Sequence, residues 1–209
     1  PARFDEEAFV SCDEDPLTAS RTLLDQSKLH LPADLPKSAA GLFGYLGYDM
    51  IRLVEHLPNV NPDPLGLPDA QFVRPSVIAV LDAVKGDVTL VSPIWHNSDI
   101  SARAAYAQAA ERLSDAMRDL DRPVPETRNL GQSLEAGAPV SNFAKDAYLG
   151  AVEKAKDYIR AGDIFQVVPS QRWTQDFPHL PFALYRSLRR TNPSPFMFFF
   201  NFGEFQVIG

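Results

Sequence analysis

Cysteine is nearly missing from this chain. Cys12 is the only one in 209 residues, so no disulfide can close within the sequence, and a reducing compartment is permitted. It makes a poor nucleophile, because Asp13, Glu14 and Asp15 follow it directly and neighbouring negative charge raises a thiol pKa. Also missing is any run of about eighteen apolar residues able to span a bilayer. The opening residues lack the charged, apolar and small-residue sections of a secretory leader. No membrane role is expected, and the implied setting is a bacterial-type cytoplasm. Basic charge is in short supply too: 20 Lys and Arg against 27 Asp and Glu leave a net charge of −7. A nucleic-acid partner asks for clustered cations and is not expected. The same sign is awkward for an anionic substrate, which would need a local cation or a metal. The visible basic cluster is Arg186, Arg189 and Arg190.

What the chain does have is proline and glycine, 18 and 11 respectively, and these punctuate it. Asp15-Pro16 predicts a helix start, with proline at the first helical position and Leu17, Arg21, Leu24 and Lys28 stepping through the helix. Gly41, Gly44 and Gly47 miss the spacing of a dinucleotide fingerprint. Interleaved with Phe43, Tyr45, Leu46 and Tyr48, they predict a strand where backbones approach closely. Five prolines and glycines make 57–68 an extended loop. Two β-rich runs, 77–82 and 87–91, flank Lys85-Gly86 and predict a hairpin, its continuous apolar first run suggesting a strand buried on both faces. Ala102, Tyr106, Ala109, Leu113, Ala116 and Leu120 mark a helix lying on a sheet, capped by Ser98 or Asp99. Residues 121–139 read as a mobile loop between two halves of a domain. No internal repeat or coiled-coil register occurs.

The most informative stretch follows. Tyr148, Val152, Ala155 and Ile159 share one helical face, and Gly162 supplies the stop. From 164 to 168 the period becomes two, which predicts a strand with Ile164, Gln166 and Val168 on one face. Gln166 is then an uncharged amide on an apolar face. Such a group is either paired within a core or turned toward a substrate cavity, and spacing does not choose between them. Further on, Leu184, Tyr185 and Leu188 predict a short helix ended by Asn192-Pro193, its arginines near the negative end. Phenylalanines at 196, 198, 200 and 202 alternate in a strand, and Gly203-Glu204 turns the chain back. The hairpin is apolar on both faces at Gly209, which suggests a fragment of a longer polypeptide.

Three blocks resemble the large subunit (component I) of anthranilate synthase. The first runs from Tyr148 through Gly162-Asp163-Ile164-Phe165-Gln166-Val167-Val168 to Ser170-Gln171-Arg172. The second is Asn192-Pro193-Ser194-Pro195-Phe196-Met197-Phe198-Phe199, and the third Gly41 to Asp49 with Arg52 and Glu55. The resemblance implies an α+β chain, an α/β sandwich of mainly antiparallel sheets flanked by helices, incomplete here. It implies an N-terminal region over 1–140, with its loop at 121–140, and the start of a chorismate-binding catalytic domain over 141–209. The implied reaction converts chorismate and ammonia to anthranilate and pyruvate. Ammonia would come from a glutamine amidotransferase partner, and Mg²⁺ would be held by residues beyond 209. Related enzymes that activate water carry a lysine where Gln166 stands, so the amide points to amination and is the candidate catalytic residue. Pro195, Phe196 and Met197, supported by Asn192 and Ser194, resemble an inhibitory L-tryptophan site; many relatives have tyrosine where Phe196 stands. The opposite wall of that site would precede Pro1, so weak or absent tryptophan binding is expected. His30, His56, His96 and His179 are assigned surface or packing roles. Three other readings compete: an aminodeoxychorismate synthase component I, against which Ser194 and Met197 speak, an amino-acid-sensing module without catalysis, and a non-functional structural half that needs its continuation to fold.

Overall fold

The structure is a computed structural model that describes residues 12–59, 61–95, 99–123 and 137–209. The chain divides into two compact units, Pro1–Val124 and Pro125–Gly209.

In the first unit, helix α1 (Pro16–Gln26) starts at the predicted Asp15-Pro16. The Asp15 carboxylate accepts from the Thr18 N–H at 3.1 Å, and Pro16 occupies a position where no N–H is needed. Strands β1 (Phe43–Leu46) and β2 (Ala70–Val73) pair antiparallel, Phe43 opposite Val73 and Leu46 opposite Ala70. The glycine-rich strand is as close to its neighbour as its composition suggests. A Cβ added at Gly44 would overlap the Gln71 carbonyl oxygen and stand 2.7 Å from Phe72 Cα. The described part of 57–68 holds no helix or strand, as its prolines require.

Strands β3 (Ile78–Asp82) and β4 (Asp87–Val91) form the expected hairpin, Ile78 opposite Val91. Burial on both faces is not found. Ile78, Val80 and Asp82 are half-buried while Ala79 and Leu81 are exposed, Leu81 at 70%. One face is thus covered, and the continuous apolar run reports the composition of the strand rather than its surroundings.

Helix α2 (Ala102–Leu120) packs beside β4, yet its buried line is rotated from the predicted stripe. Ala105 and Ala109 are buried and Arg112, Leu113 and Ala116 half-buried, whereas Tyr106 and Leu120 are exposed. The small alanines permit close approach, and Arg112 Nε donates to Ser92 Oγ at 3.0 Å, which fixes the rotation. The cap is Ser101, whose hydroxyl oxygen accepts from Ala104 N–H at 3.2 Å; it replaces Asp99 in the predicted role. Ser98 and most of the 121–139 loop lie outside the described residues.

In the second unit, β5 (Val140–Ser141) and β6 (Trp173–Thr174) pair antiparallel on either side of helix α3 (Lys145–Ala161). Helix α4 (Pro181–Thr191) lays Phe182 and Tyr185 against Phe199, at ring separations of 5.2 and 6.0 Å. Strands β7 (Phe199–Asn201) and β8 (Gln206–Ile208) close a hairpin through Gly203-Glu204, with Phe202 N–H donating to Phe205 O at 3.0 Å. Positive φ at Gly203 (91°) and not at Glu204 gives the turn hand that matches strand twist. Regular pairing is shorter than the predicted 196–202 strand, although Phe198 exchanges backbone bonds with Gly209 in both directions. Among the described residues only Ala39, Ala105, Ala109 and Phe202 are buried hydrophobics, so much apolar surface stays open. No described helix is long and apolar enough to cross a membrane.

Candidate functional site

Helix α3 delivers the segment that carries Gln166. Tyr148, Val152 and Ala155 lie along its half-buried side as predicted, while Ile159 is 43% exposed. At its end Gly162 adopts φ 84°. Gly162 N–H reaches Ile159 O at 3.2 Å and Asp163 N–H reaches Tyr158 O at 3.0 Å, the paired bonds of a Schellman stop.

Beyond this stop the predicted strand does not form. Residues 164–170 carry neither helix nor strand, and the pairing resumes only at Trp173. Gln166 is exposed, and Phe165 and Val168 are exposed at 93% and 77%. The alternation of this segment requires a partner strand to bury one face, and no described residue pairs with it.

The base of the segment is nonetheless firmly tied. Gln171 Nε2 donates to Ser141 Oγ at 2.6 Å, across 30 residues of sequence. Ser141 Oγ also accepts from Phe143 N–H at 3.0 Å and donates to Phe143 O at 2.8 Å. Beside it, Arg172 N–H donates to Asn142 Oδ1 at 2.9 Å and Asn142 N–H to Arg172 O at 3.0 Å. Sequence reasoning missed this clamp. One signal was available: Ser141 and Asn142 precede α3 like capping residues, yet the N-cap is Ala144, which makes no side-chain cap. Their polar groups are therefore used elsewhere.

The proline block follows α4. Asn192 is the helix C-cap, and Pro195-Phe196 forms a turn in which Phe196 N–H donates to Ser194 Oγ at 3.3 Å. The turn leaves the Phe196 ring 84% exposed and Met197 half-buried. Of the histidines, His30 and His56 are exposed and His179 sits edge-on to Phe177 at 5.5 Å; His96 lies outside the described residues.

Two recesses lined by described residues do not include these side chains. A recess of about 510 Å³ runs along α4, lined by Ala183, Arg186, Ser187, Arg190 and Thr191. A smaller one of about 280 Å³ in the first unit is lined by residues including Asp34, Val80, Asp82 and Lys85. Electrostatic perturbation lies in the first unit as well. Burial, with help from Asp69, raises the Tyr45 phenol, and backbone N–H donors from Lys85 and Val84 hold Asp82 below the usual carboxylate range. Among the described residues no group of three or more His, Cys, Asp or Glu side chains converges to hold a metal ion.

A family model described as chorismate binding enzyme matches residues 2–209. The chain belongs to the chorismate binding enzyme family. Among curated members, anthranilate synthase component 1 of Cereibacter sphaeroides is 68% identical over 208 residues, covering 100% of this chain and 42% of that protein. The protein of the same name from Thermus thermophilus is 43% identical over 175 residues, covering 84% and 36%. The crystal structure of anthranilate synthase component I from Streptococcus pneumoniae TIGR4 is similar with a TM-score of 0.77 and 32% identity, over 95% of this chain and 43% of that one. The chain thus spans less than half the length of these relatives. The α+β expectation, with short antiparallel sheets and helices in an incomplete fold, is borne out by this likeness. So is the resemblance to anthranilate synthase component I as a portion of a longer chorismate-binding enzyme.

Proposed function

We propose that the chain is a portion of an anthranilate synthase large subunit that aminates chorismate at C2 with ammonia, with loss of the ring 4-hydroxyl, after which pyruvate is eliminated to leave anthranilate. The observation that carries this reading is the 68% identity to an anthranilate synthase component 1 along the whole chain. In it, Gln166 is the group that orients ammonia. A neutral amide offers donors and an acceptor but cannot take a proton from water, so it favours amination over hydration. Ammonia comes from a glutamine amidotransferase partner, in the cytoplasm; Mg²⁺, if bound, would offset the substrate's negative charge, its ligands coming from outside the described residues. The turn at Pro195, Phe196 and Met197, with Ser194 bonded to it and Asn192 just before it, supplies one wall of a site for inhibitory L-tryptophan. The 209-residue chain is inactive alone.

The test is product identity. The enzyme at the relatives' full length, given chorismate, Mg²⁺ and ammonium, is expected to release anthranilate, seen by fluorescence and mass. Aminodeoxychorismate as the product would move the chain to the other aminating branch. The 209-residue chain is expected to give neither.

A further inference from the structure

We infer that Gln171 is a positioning residue for Gln166, acting by closing the loop that carries it; this rests on the proposed role of Gln166 in orienting ammonia. Residues 164–170 have no helix or ladder of their own, so the direction in which Gln166 leaves the chain is set at the two ends of the segment. The near end is fixed by the Gly162 stop. The far end is fixed by Gln171, whose amide nitrogen, 2.6 Å from Ser141 Oγ, ties it to the residues that open α3. Helix and segment thereby become one closed loop.

The bond is built rather than incidental. Ser141 and Gln171 are both half-buried. The serine hydroxyl spends its single proton on Phe143 O, so its oxygen faces Gln171 as an acceptor. Phe143 meets Tyr148 edge-on at 6.1 Å, and the Tyr148 hydroxyl lies 3.5 Å from Pro169 O, at the end of the same segment. Neighbouring Asn142 and Arg172 exchange two further bonds. Closing a loop of about thirty residues costs chain entropy that grows with the logarithm of its length, and several bonds gathered at one point offset that cost. Gln171 is the member nearest Gln166 that bonds through its side chain, and it touches neither substrate nor ammonia in this role.

The prediction separates positioning from folding. In the full-length enzyme, Gln171→Leu is expected to raise the KM for ammonium about tenfold or more while the KM for chorismate stays within about twofold, since a displacement near 1 Å can cost up to about a hundredfold. Ser141→Ala should reproduce the effect, Ser141→Thr should keep the wild-type value, and the double variant should lose no more than either single. In the full-length enzyme, amide hydrogen exchange over 163–172 should quicken in Gln171→Leu while that of α4 is unchanged. If Gln171→Leu fails to fold, Gln171→Asn, whose shorter amide cannot span the gap, is read in its place with the same expectation. An ammonium KM unaltered by these variants overturns the inference, provided Gln166→Ala has lost ammonium-dependent turnover. If Gln166→Ala itself is unchanged, the role of Gln166 falls, and the positioning inference with it.

Discussion

At position 44 the chain leaves no room for a methyl group. Gly44 stands opposite Phe72 in the β1–β2 ladder, and an added Cβ would meet the Gln71 carbonyl and Phe72 Cα rather than a side chain that could swing away. Gly44→Ala must therefore move a backbone. It is expected to cost about 3 kcal/mol, the upper range for overpacking, read as a lowered denaturant midpoint, whereas alanine at the uncrowded Gly150, inside α3, should leave the midpoint unchanged or raise it. Strand and close approach were both legible here, because a glycine spaced among aromatics in a β pattern has a local steric reason to be glycine. The same reading failed at Gln166. Whether an amide is buried depends on what lies across from it, and a period of two says only which residues share a face. Ser141 and Gln171 escaped for a related reason: a hydrogen bond spanning 30 positions leaves no periodicity to read.

Among the elements, those defined by local chemistry came through with their ends intact. The Asp15 cap, the Gly162 stop and the Gly203-Glu204 turn each depend on a few adjacent residues. Facing depends on neighbours, and there the expectation for α2 was rotated and that for β3 overstated. The β3–β4 hairpin allows a test of element stability. Asp82 Oδ1 accepts from Val84 N–H at 3.0 Å and Lys85 N–H at 3.1 Å, and these bonds, ahead of the Lys85 charge, hold its carboxyl below its ordinary value. Because the folded-state pKa is depressed, the stabilisation is present above the unfolded pKa of about 4 and is lost as pH falls through the lower folded value. Exchange protection at the hairpin should therefore weaken on acidification below about pH 4. Asp82→Asn should remove that acid dependence while lowering protection at neutral pH. A wild-type hairpin with no acid dependence would show that the turn does not rely on the carboxylate. Helix α4 contrasts with the other helices. The ion pairs of α2 and α3 join an acid to a cation three residues on, as in Glu153 with Lys156 and Asp157 with Arg160, whereas α4 contains no acid at all. Its Arg189 and Arg190 instead lie in the last turn, where the helix dipole favours positive charge.

For the molecule as a whole, the decisive quantity is how much binding surface the described residues can present together. Aromatic rings stand free at several points, Phe165 at 93% and Phe196 at 84% exposure, and no large side chain is fully buried among the described residues. A site for an amino acid needs more than one such wall. Stacking on a single ring contributes about 0.5–1.5 kcal/mol beyond the area it buries. Association alone costs about 4 kcal/mol or more in lost freedom, while binding at 1 mM needs about −4 kcal/mol net. The Phe196 turn by itself falls short on both counts. Calorimetry on the 209-residue chain is therefore expected to show no saturable heat with L-tryptophan up to about 1 mM. If the proposed inhibitor site gains a second wall opposite Phe196 in the full-length enzyme, that enzyme is expected to bind L-tryptophan and to lose affinity on Phe196→Ala. Saturable micromolar binding by the 209-residue chain would mean that these residues already complete a pocket, and would favour the amino-acid-sensing reading over a catalytic portion.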